Sequence, residues 1–409
     1  MFVLVSYNFY YNFVMKILMV TQFYYPERFS TTDIAEELVK SGNEVTVLTG
    51  KPNYGYGYIL REYKNVKREK INGVDVIRCN LYPRHNSRLS IIRNYLSFHR
   101  NAKRAVNKIK ENFDVVLSTS LSPVISIAPA IKYAKKHNVP HILFCQDLWP
   151  ESTVVTNAVK EKSLTYKILY RWSKRLYEQC DEIVISSPSF KNYFNNVLKI
   201  TDKKFPVVYQ PIIHSNGSDG SVEYTKKFNF VYAGNIGTLQ LSSELIDAFK
   251  LLDCSDKKLY FMGMGSQLEL IKKRISDEHL EDFVEYVGAL PIEKAERYYR
   301  NATALIVSLK NTGTVGKTIP NKAIQYMTYS KPLIGVIQGD GKELLEKAKG
   351  TIFADENPKM IANCIEKICK LSEEDLQKMG INNKQYYDKN LNSEILTNHL
   401  LEILRESRK

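Results

Sequence analysis

The chain has 409 residues, with 58 Lys+Arg against 44 Asp+Glu for a formal charge of +14, 44% hydrophobic and 25% charged residues. That length predicts two domains with ample cores, and the composition excludes disordered, collagen-like and small disulfide-stapled chains. The cationic surplus favours an anionic partner, which leaves nucleic acid, phosphorylated metabolites and an acidic membrane surface open.

Residues 1–14, MFVLVSYNFYYNFV, form an apolar and aromatic N-terminal extension without a basic start or a small-residue cleavage site. With Lys16 close behind, the run is too short to span a bilayer. Met15 reads as the natural start; an interfacial aromatic anchor is the other reading. The six cysteines, Cys79, Cys145, Cys180, Cys254, Cys364 and Cys369, form no C-x-x-C pair and read as reduced cytosolic thiols.

From Ile17 the pattern becomes regular. An apolar run to Val20, a helical stretch Thr32 to Lys40 and a second run Val45 to Leu48 read as strand, helix, strand. Further runs at Val74 to Cys79, Val115 to Leu117, His141 to Cys145 and Ile183 to Ile185 alternate with helical segments, which argues for a parallel sheet wrapped by helices. The stretch HSNGSDGS, 214–221, has the composition of a boundary. The alternation then restarts with Phe228 to Ala233, Leu259 to Met262, Phe283 to Val287, Ala304 to Ser308 and Leu333 to Val336, and a final helix lies near Asn392 to Arg405. The expected organisation is α/β: Rossmann-like domains over 15–205 and 206–390 facing a cleft, then a C-terminal helix over 391–409.

After the first strand stands Thr21-Gln22-Phe23-Tyr24-Tyr25-Pro26, so the G-x-G-x-x-G of a dinucleotide dehydrogenase is missing where it is most diagnostic. No P-loop follows any strand, and no His/Cys cluster suggests a metal. The informative glycines lie in the second half. Strand Phe230 to Ala233 runs into Gly234-Asn235-Ile236-Gly237-Thr238-Leu239-Gln240 before a helix near Leu241. This is either a cradle for phosphate or a tight strand-to-helix turn. Met262-Gly263-Met264-Gly265-Ser266 repeats the form, and Pro320-Asn321-Lys322-Ala323-Ile324-Gln325 starts a helix with Lys322 in its first turn and Gln325 on the same face. A lysine there opposes the helix dipole unless an anion is near, which points to pyrophosphate.

Tyr-Ala-Gly-Asn-Ile-Gly at 232–237, the G-x-G-S turn at 263–266, Val287-Gly288, and Pro-Asn-Lys-x-x-Gln-Tyr-Met at 320–327 follow in the order and spacing of family-4 glycosyltransferases. The opening Met-Lys-Ile-Leu-Met-Val-Thr-Gln-Phe-Tyr-Tyr-Pro-Glu and the segment Gln146-Asp147-Leu148-Trp149-Pro150-Glu151-Ser152 resemble the bacterial branch that builds O-antigen and capsule repeats, including N-acetyl-L-fucosamine transferases. The resemblance, which covers nearly the whole chain from Met15, implies a GT-B fold. It implies a nucleotide-sugar donor held mainly by the second domain, an acceptor bound by the first, retention of anomeric configuration and no bound metal or other cofactor. Gly234, Asn235, Gly237, Gln240, Gly263, Gly265, Lys317, Lys322 and Gln325 become the expected donor-binding residues, with Lys322 also catalytic through the departing UDP.

The chain departs from the family where many members carry two glutamates eight positions apart, which here are Lys317 and Gln325. Where relatives carry His-Asp, this chain has Gln146-Asp147; Asp147 is the candidate general base, with a helix N-cap as the competing role. Thr31 and Thr32, in place of a glycine-rich loop, and Asn53 and Tyr54 are the expected acceptor-binding residues, with an ordinary surface loop as the plain alternative for the second pair.

Arg84 to Lys110 has eight cations and no acidic residue, interleaved with Leu89, Ile91, Ile92, Tyr95, Leu96 and Phe98. Arg88, Arg93, Arg100 and Arg104 are the expected membrane-facing residues, against a core-packed helix with a solvated basic face. Because the implied acceptor is a polyprenyl-diphosphate-linked sugar, the expected location is cytoplasmic, peripheral on the inner face of the plasma membrane. A second stripe, Leu164, Ile168, Trp172 and Leu176, reads as core packing beside Lys167, Arg171, Lys174 and Arg175. A UDP-N-acetylhexosamine epimerase of the same architecture is the alternative enzyme. A nucleic-acid-binding protein would explain the charge, but no such module is present and no nucleic-acid partner is expected.

Overall fold

The protein's computed structural model describes residues 14–27, 29–85, 87–121, 123–212, 220 and 222–408; the expectations for 1–13 and for most of 214–221 lie outside them. The chain builds two sheets. The first contains β1 (Lys16–Val20), β2 (Glu44–Gly50), β3 (Arg68–Ile71), β4 (Val74–Cys79), β5 (Val115–Ser120), β6 (His141–Cys145) and β7 (Glu182–Ile185), in spatial order β3-β4-β2-β1-β5-β6-β7. β1 pairs in parallel with β2 and β5, β2 with β4 and β5 with β6, while β3 returns antiparallel on β4. These parallel strands are buried on both faces, which is why they read as apolar runs rather than as alternation. β3, with the sequence REKI, is a half-exposed edge strand and left no such run.

The second sheet contains β8 (Phe228–Asn235), β9 (Lys257–Met264), β10 (Val284–Gly288), β11 (Ala304–Ser308), β12 (Leu333–Val336) and β13 (Thr351–Phe353), all parallel, in order β10-β9-β8-β11-β12-β13. Alternate residues of β8 supply two cores. Phe230 and Tyr232 pack with Phe249 and Phe261, while Val231 and Ala233 pack with Tyr299 and Tyr326. β8 and β9 each run two residues past their apolar stretches, because Gly234 pairs with Gly263 and Asn235 with Met264.

Two compact units result, and they do not divide at the expected 205/206. The first holds the chain to Cys145, Arg175–Val184 and Thr397–Lys409; the second holds Gln146–Lys174 and Ile185–Leu396. Apolar runs locate strands but do not say on which sheet a connecting helix packs. Each strand order reverses once, between β1 and β5 and between β8 and β11, and ligands of open α/β sheets bind beyond the carboxyl ends of such neighbouring strands. Among the described residues no helix is long and apolar enough to cross a membrane, and no group of three His, Cys, Asp or Glu is placed to hold a metal ion.

Candidate active site

In the second unit, the site forms where the helix Asn321–Met327 docks on the end of β8. Tyr326 is fully buried; its hydroxyl accepts from Ala233 N at 2.8 Å and donates to Ala233 O at 3.1 Å. One turn earlier, Lys322 reaches over Gly234. Its Nζ donates to Tyr232 Oη at 2.6 Å and lies 3.8 Å from the centre of that ring. A Cβ at Gly234, whose φ is +124°, would stand 3.4 Å from Lys322 Cε and Nζ, so glycine leaves the lysine its path across the strand. Tyr232 Oη in turn donates to Asn235 O at 2.6 Å. Among the described residues no carboxylate pairs with Lys322, and burial pushes its pKa down to about 7. Its charged form is thus disfavoured where it stands, with only the Tyr232 hydroxyl and ring beside it.

The turn that follows is preorganised by its own side chains. Gln240 Oε1 accepts from Gly237 N at 3.1 Å and from Asn235 Nδ2 at 3.2 Å, while Ile236 N donates to Met264 O at 2.8 Å. Two of the loop amides expected to face phosphate are therefore already bonded within the protein, and Asn235 belongs to β8 rather than to a free loop. Ser308 Oγ donates to Gln240 O at 2.6 Å and Lys310 N to Leu239 O at 2.7 Å, tying the turn to the end of β11. Gly263, at φ +121°, and Gly265 are required by the backbone. A Cβ on either would overlap the carbonyl of Gly234 or Ile236 respectively, so close approach of two strand ends accounts for both glycines. A cavity of about 560 Å³ opens beside the turn, lined by Thr238, Leu239, Lys310, Thr312, Gly313, Glu151 and Tyr166.

Lys317 is exposed at the end of a short 3-10 turn. Gln325 does not join Lys322: its side chain hydrogen-bonds Tyr329 Oη, which donates to Glu296 Oε1 at 3.2 Å, and Glu296 is 2% exposed. Asp147 is half-buried beyond the end of β6. The N-cap position of the helix Glu151–Val155 is held by Pro150, which supplies no side-chain cap, so Asp147 is not that helix's N-cap residue.

The first unit separates the expected acceptor residues. Thr31 is buried, and its hydroxyl donates to Phe23 O at 2.9 Å. Thr32 is half-buried. Asn53 is also buried. Its side chain donates to Lys51 O at 2.9 Å and accepts from Arg84 N at 2.9 Å and Asn94 Nδ2 at 3.0 Å, while its backbone N donates to Glu27 Oε1. Thr31 and Asn53 thus support the loops from inside. Glu27, buried under Asn53 and Tyr54, accepts both of their amide protons; burial nonetheless raises its pKa. Tyr54 alone of the four is exposed, with its ring edge-on to Phe23 and Phe29.

Sequence reasoning missed Tyr232 and Tyr326 as parts of the site. The available signal was a phenol at the mouth of an otherwise apolar strand or helix face, since a buried Tyr hydroxyl needs a partner. It also misread the second basic helix. In Leu164–Tyr177 only Leu176 of the apolar stripe is buried, whereas Leu164 is 75%, Ile168 57% and Trp172 37% exposed. In the helix Arg88–Val106, Phe98, Ala102 and Val106 face the core, while Leu89, Ile92 and Leu96 are exposed among the equally exposed Arg88, Arg93, Arg100 and Arg104.

Comparison with known proteins shows the family. Residues 29–215 match the model for Glycosyltransferase Family 4 and residues 218–386 that for Glycosyl transferases group 1. A probable glycosyltransferase of Pseudomonas aeruginosa, WbjE, is 24% identical over 65% of this chain and 68% of its own length. Among solved structures, sucrose-phosphate synthase from Thermosynechococcus elongatus superposes with a TM-score of 0.73 at 15% identity, covering 96% of this chain and 98% of that one. Anabaena HepE in complex with UDP and glucose gives 0.66 at 13% identity, covering 96% and 100%. Matched in both halves by glycosyltransferase models, and built on the paired Rossmann-like domains of those structures, the chain belongs to the glycosyltransferases of the GT-B fold.

Proposed function

We propose that this glycosyltransferase moves a sugar, an N-acetylated deoxyhexosamine, from a UDP-sugar to a polyprenyl-diphosphate-linked saccharide in capsule or O-antigen synthesis. The observation that carries the reading is the unpaired Lys322, half-buried over Gly234 at the β8 end. As the bond between the donor's anomeric carbon and the diphosphate breaks, charge grows on the leaving UDP, and a protonated Lys322 would neutralise it without a metal or other cofactor. The acceptor hydroxyl forms the new bond with retained configuration, and Asp147 takes its proton. The solved HepE complexes hold UDP, which supports a nucleotide-sugar donor here.

The two exposed apolar and basic helix faces support association with an anionic bilayer from its cytoplasmic side. Leucines and isoleucines would enter the headgroup boundary, and each arginine or lysine near the surface would add about 1 kcal/mol. A panel of UDP-sugars with a diphosphate-lipid-linked monosaccharide, read by product mass, tests the whole reading. UDP release that depends on the acceptor is the expected result. Conversion of a UDP-N-acetylhexosamine with no acceptor present would favour an epimerase instead.

A further inference from the structure

The loops after β2 and β4 meet the helix Arg88–Val106 around one guanidinium. Arg84 lies over the rings of Tyr54, at 4.9 Å, and Tyr95, at 5.5 Å; its Nη1 donates to Tyr95 Oη at 2.9 Å. Its backbone is fixed by the bond from Arg84 N to Asn53 Oδ1. Among the described residues it forms no ion pair. Arginine keeps its charge at every physiological pH and presents a planar fork of donors, most of which are unused here. Holding such a group between aromatic rings, with no carboxylate paired to it among the described residues, suits it to an anion with several oxygens.

A second observation comes from the polar chain beneath it. Asn94 Nδ2 bonds Asn53 Oδ1 at 3.0 Å, and Gln22 Nε2 donates to Asn94 Oδ1 at 2.7 Å. Gln22 is 4% exposed, yet its Oε1 has no hydrogen-bond partner. It stands just past the end of β1, where the strand order reverses, and so offers a buried acceptor suited to a hydroxyl or amide N–H of a sugar rather than to its diphosphate. Tyr54, Tyr56 and Tyr58 on the loop after β2 and Tyr82 on the loop after β4 are exposed, and such rings suit the apolar faces of a sugar or prenyl chain.

We infer that Arg84 is the anchor for the diphosphate of the acceptor, in a subsite framed by Tyr54 and Tyr95. The inference rests on the acceptor class proposed above. The test uses the full chain with farnesyl diphosphate and inorganic pyrophosphate as probes, their affinities measured by calorimetry beside that of UDP. Arg84→Gln should weaken farnesyl diphosphate about tenfold or more, and Tyr95→Phe, which keeps the ring and removes one bond to the guanidinium, about threefold. UDP affinity and thermal midpoint should stay unchanged in both.

Farnesyl diphosphate bound equally well by Arg84→Gln, or not bound by the wild type, overturns the inference. Equal wild-type affinity for inorganic pyrophosphate would assign the anchor to a free anion and overturn it as well. A wild type that binds farnesyl diphosphate but no UDP would instead sink the donor reading, leaving Arg84 to be judged on its own measurement.

Discussion

Lys322 and Arg84 are both cations without a carboxylate, and the two units hold them in opposite ways. Lys322 is a point charge that burial brings down to about pH 7, laid across a glycine onto one phenol. Arg84 is a permanent charge steadied by two rings and by the hydrogen bond of its own backbone N. The first can lose its proton when its site is empty, whereas guanidinium groups in general stay charged. The contrast predicts that donor binding is proton-linked and acceptor binding is not.

The largest expected effect breaks the comparison outright. Lys322→Ala should lower turnover at saturating donor about 100-fold or more, as removal of one preorganised transition-state donor does; UDP release at the wild-type rate would end the account of the second unit. Asp147→Asn should lower kcat about 100-fold with little change in donor affinity. A variant that loses only thermal stability would return Asp147 to a structural role.

The pH dependence sharpens the contrast. In the free protein Lys322 titrates near 7, and a bound diphosphate raises that value, so UDP binding takes up a proton above pH 7. UDP affinity should therefore fall, by up to about tenfold per pH unit between 7 and 9, and Lys322→Ala should flatten the slope. Calorimetry in two buffers of different ionisation enthalpy measures the uptake directly. The same linkage acts on folding. Because the folded pKa lies below the unfolded one, the unfolded chain binds more protons from 7 to 10.5, and this lysine's penalty on stability grows as pH falls through that window.

Glycines separate the units at a smaller scale. Gly263→Ala, with positive φ and a carbonyl in the way, should destabilise by about 3 kcal/mol or more in denaturant unfolding. Gly55→Ala, with φ +80° and open space around it, should cost about 1 kcal/mol. Near-equal values would mean that β8 and β9 do not need their close approach. The smallest stability effect is expected for serine at Leu164 and Ile168, about 0.5 kcal/mol or less per site, since both are more than half exposed; at Trp172, nearly two-thirds buried, serine should cost about 1–3 kcal/mol. That triple variant should nevertheless lose sedimentation with anionic vesicles, and retained binding would reject this face as a membrane contact.

The parallel strands were legible because burial on both faces turns them into apolar runs; β4 and β6 fall where those runs do. The glycines at 263 and 265 were legible as special positions, but their cause was not, because the obstructing carbonyls belong to a strand some thirty residues away. Asn53 read as an acceptor-binding or plain loop residue. Its burial comes from Asn94, 41 residues further on, and no local pattern announces such a partner. Exposure of Leu164, Ile168 and Trp172 was equally hidden, since four-residue spacing marks a helix face without saying what lies opposite it.

The double bond between Tyr326 and Ala233 has one further consequence. Exchange of tyrosine for phenylalanine is mild where a phenol points at solvent, but here the lost oxygen would strand an amide and a carbonyl together at the tip of β8. The fold at this position therefore asks for a side chain that both gives and takes a proton, a demand the neighbouring apolar positions do not make.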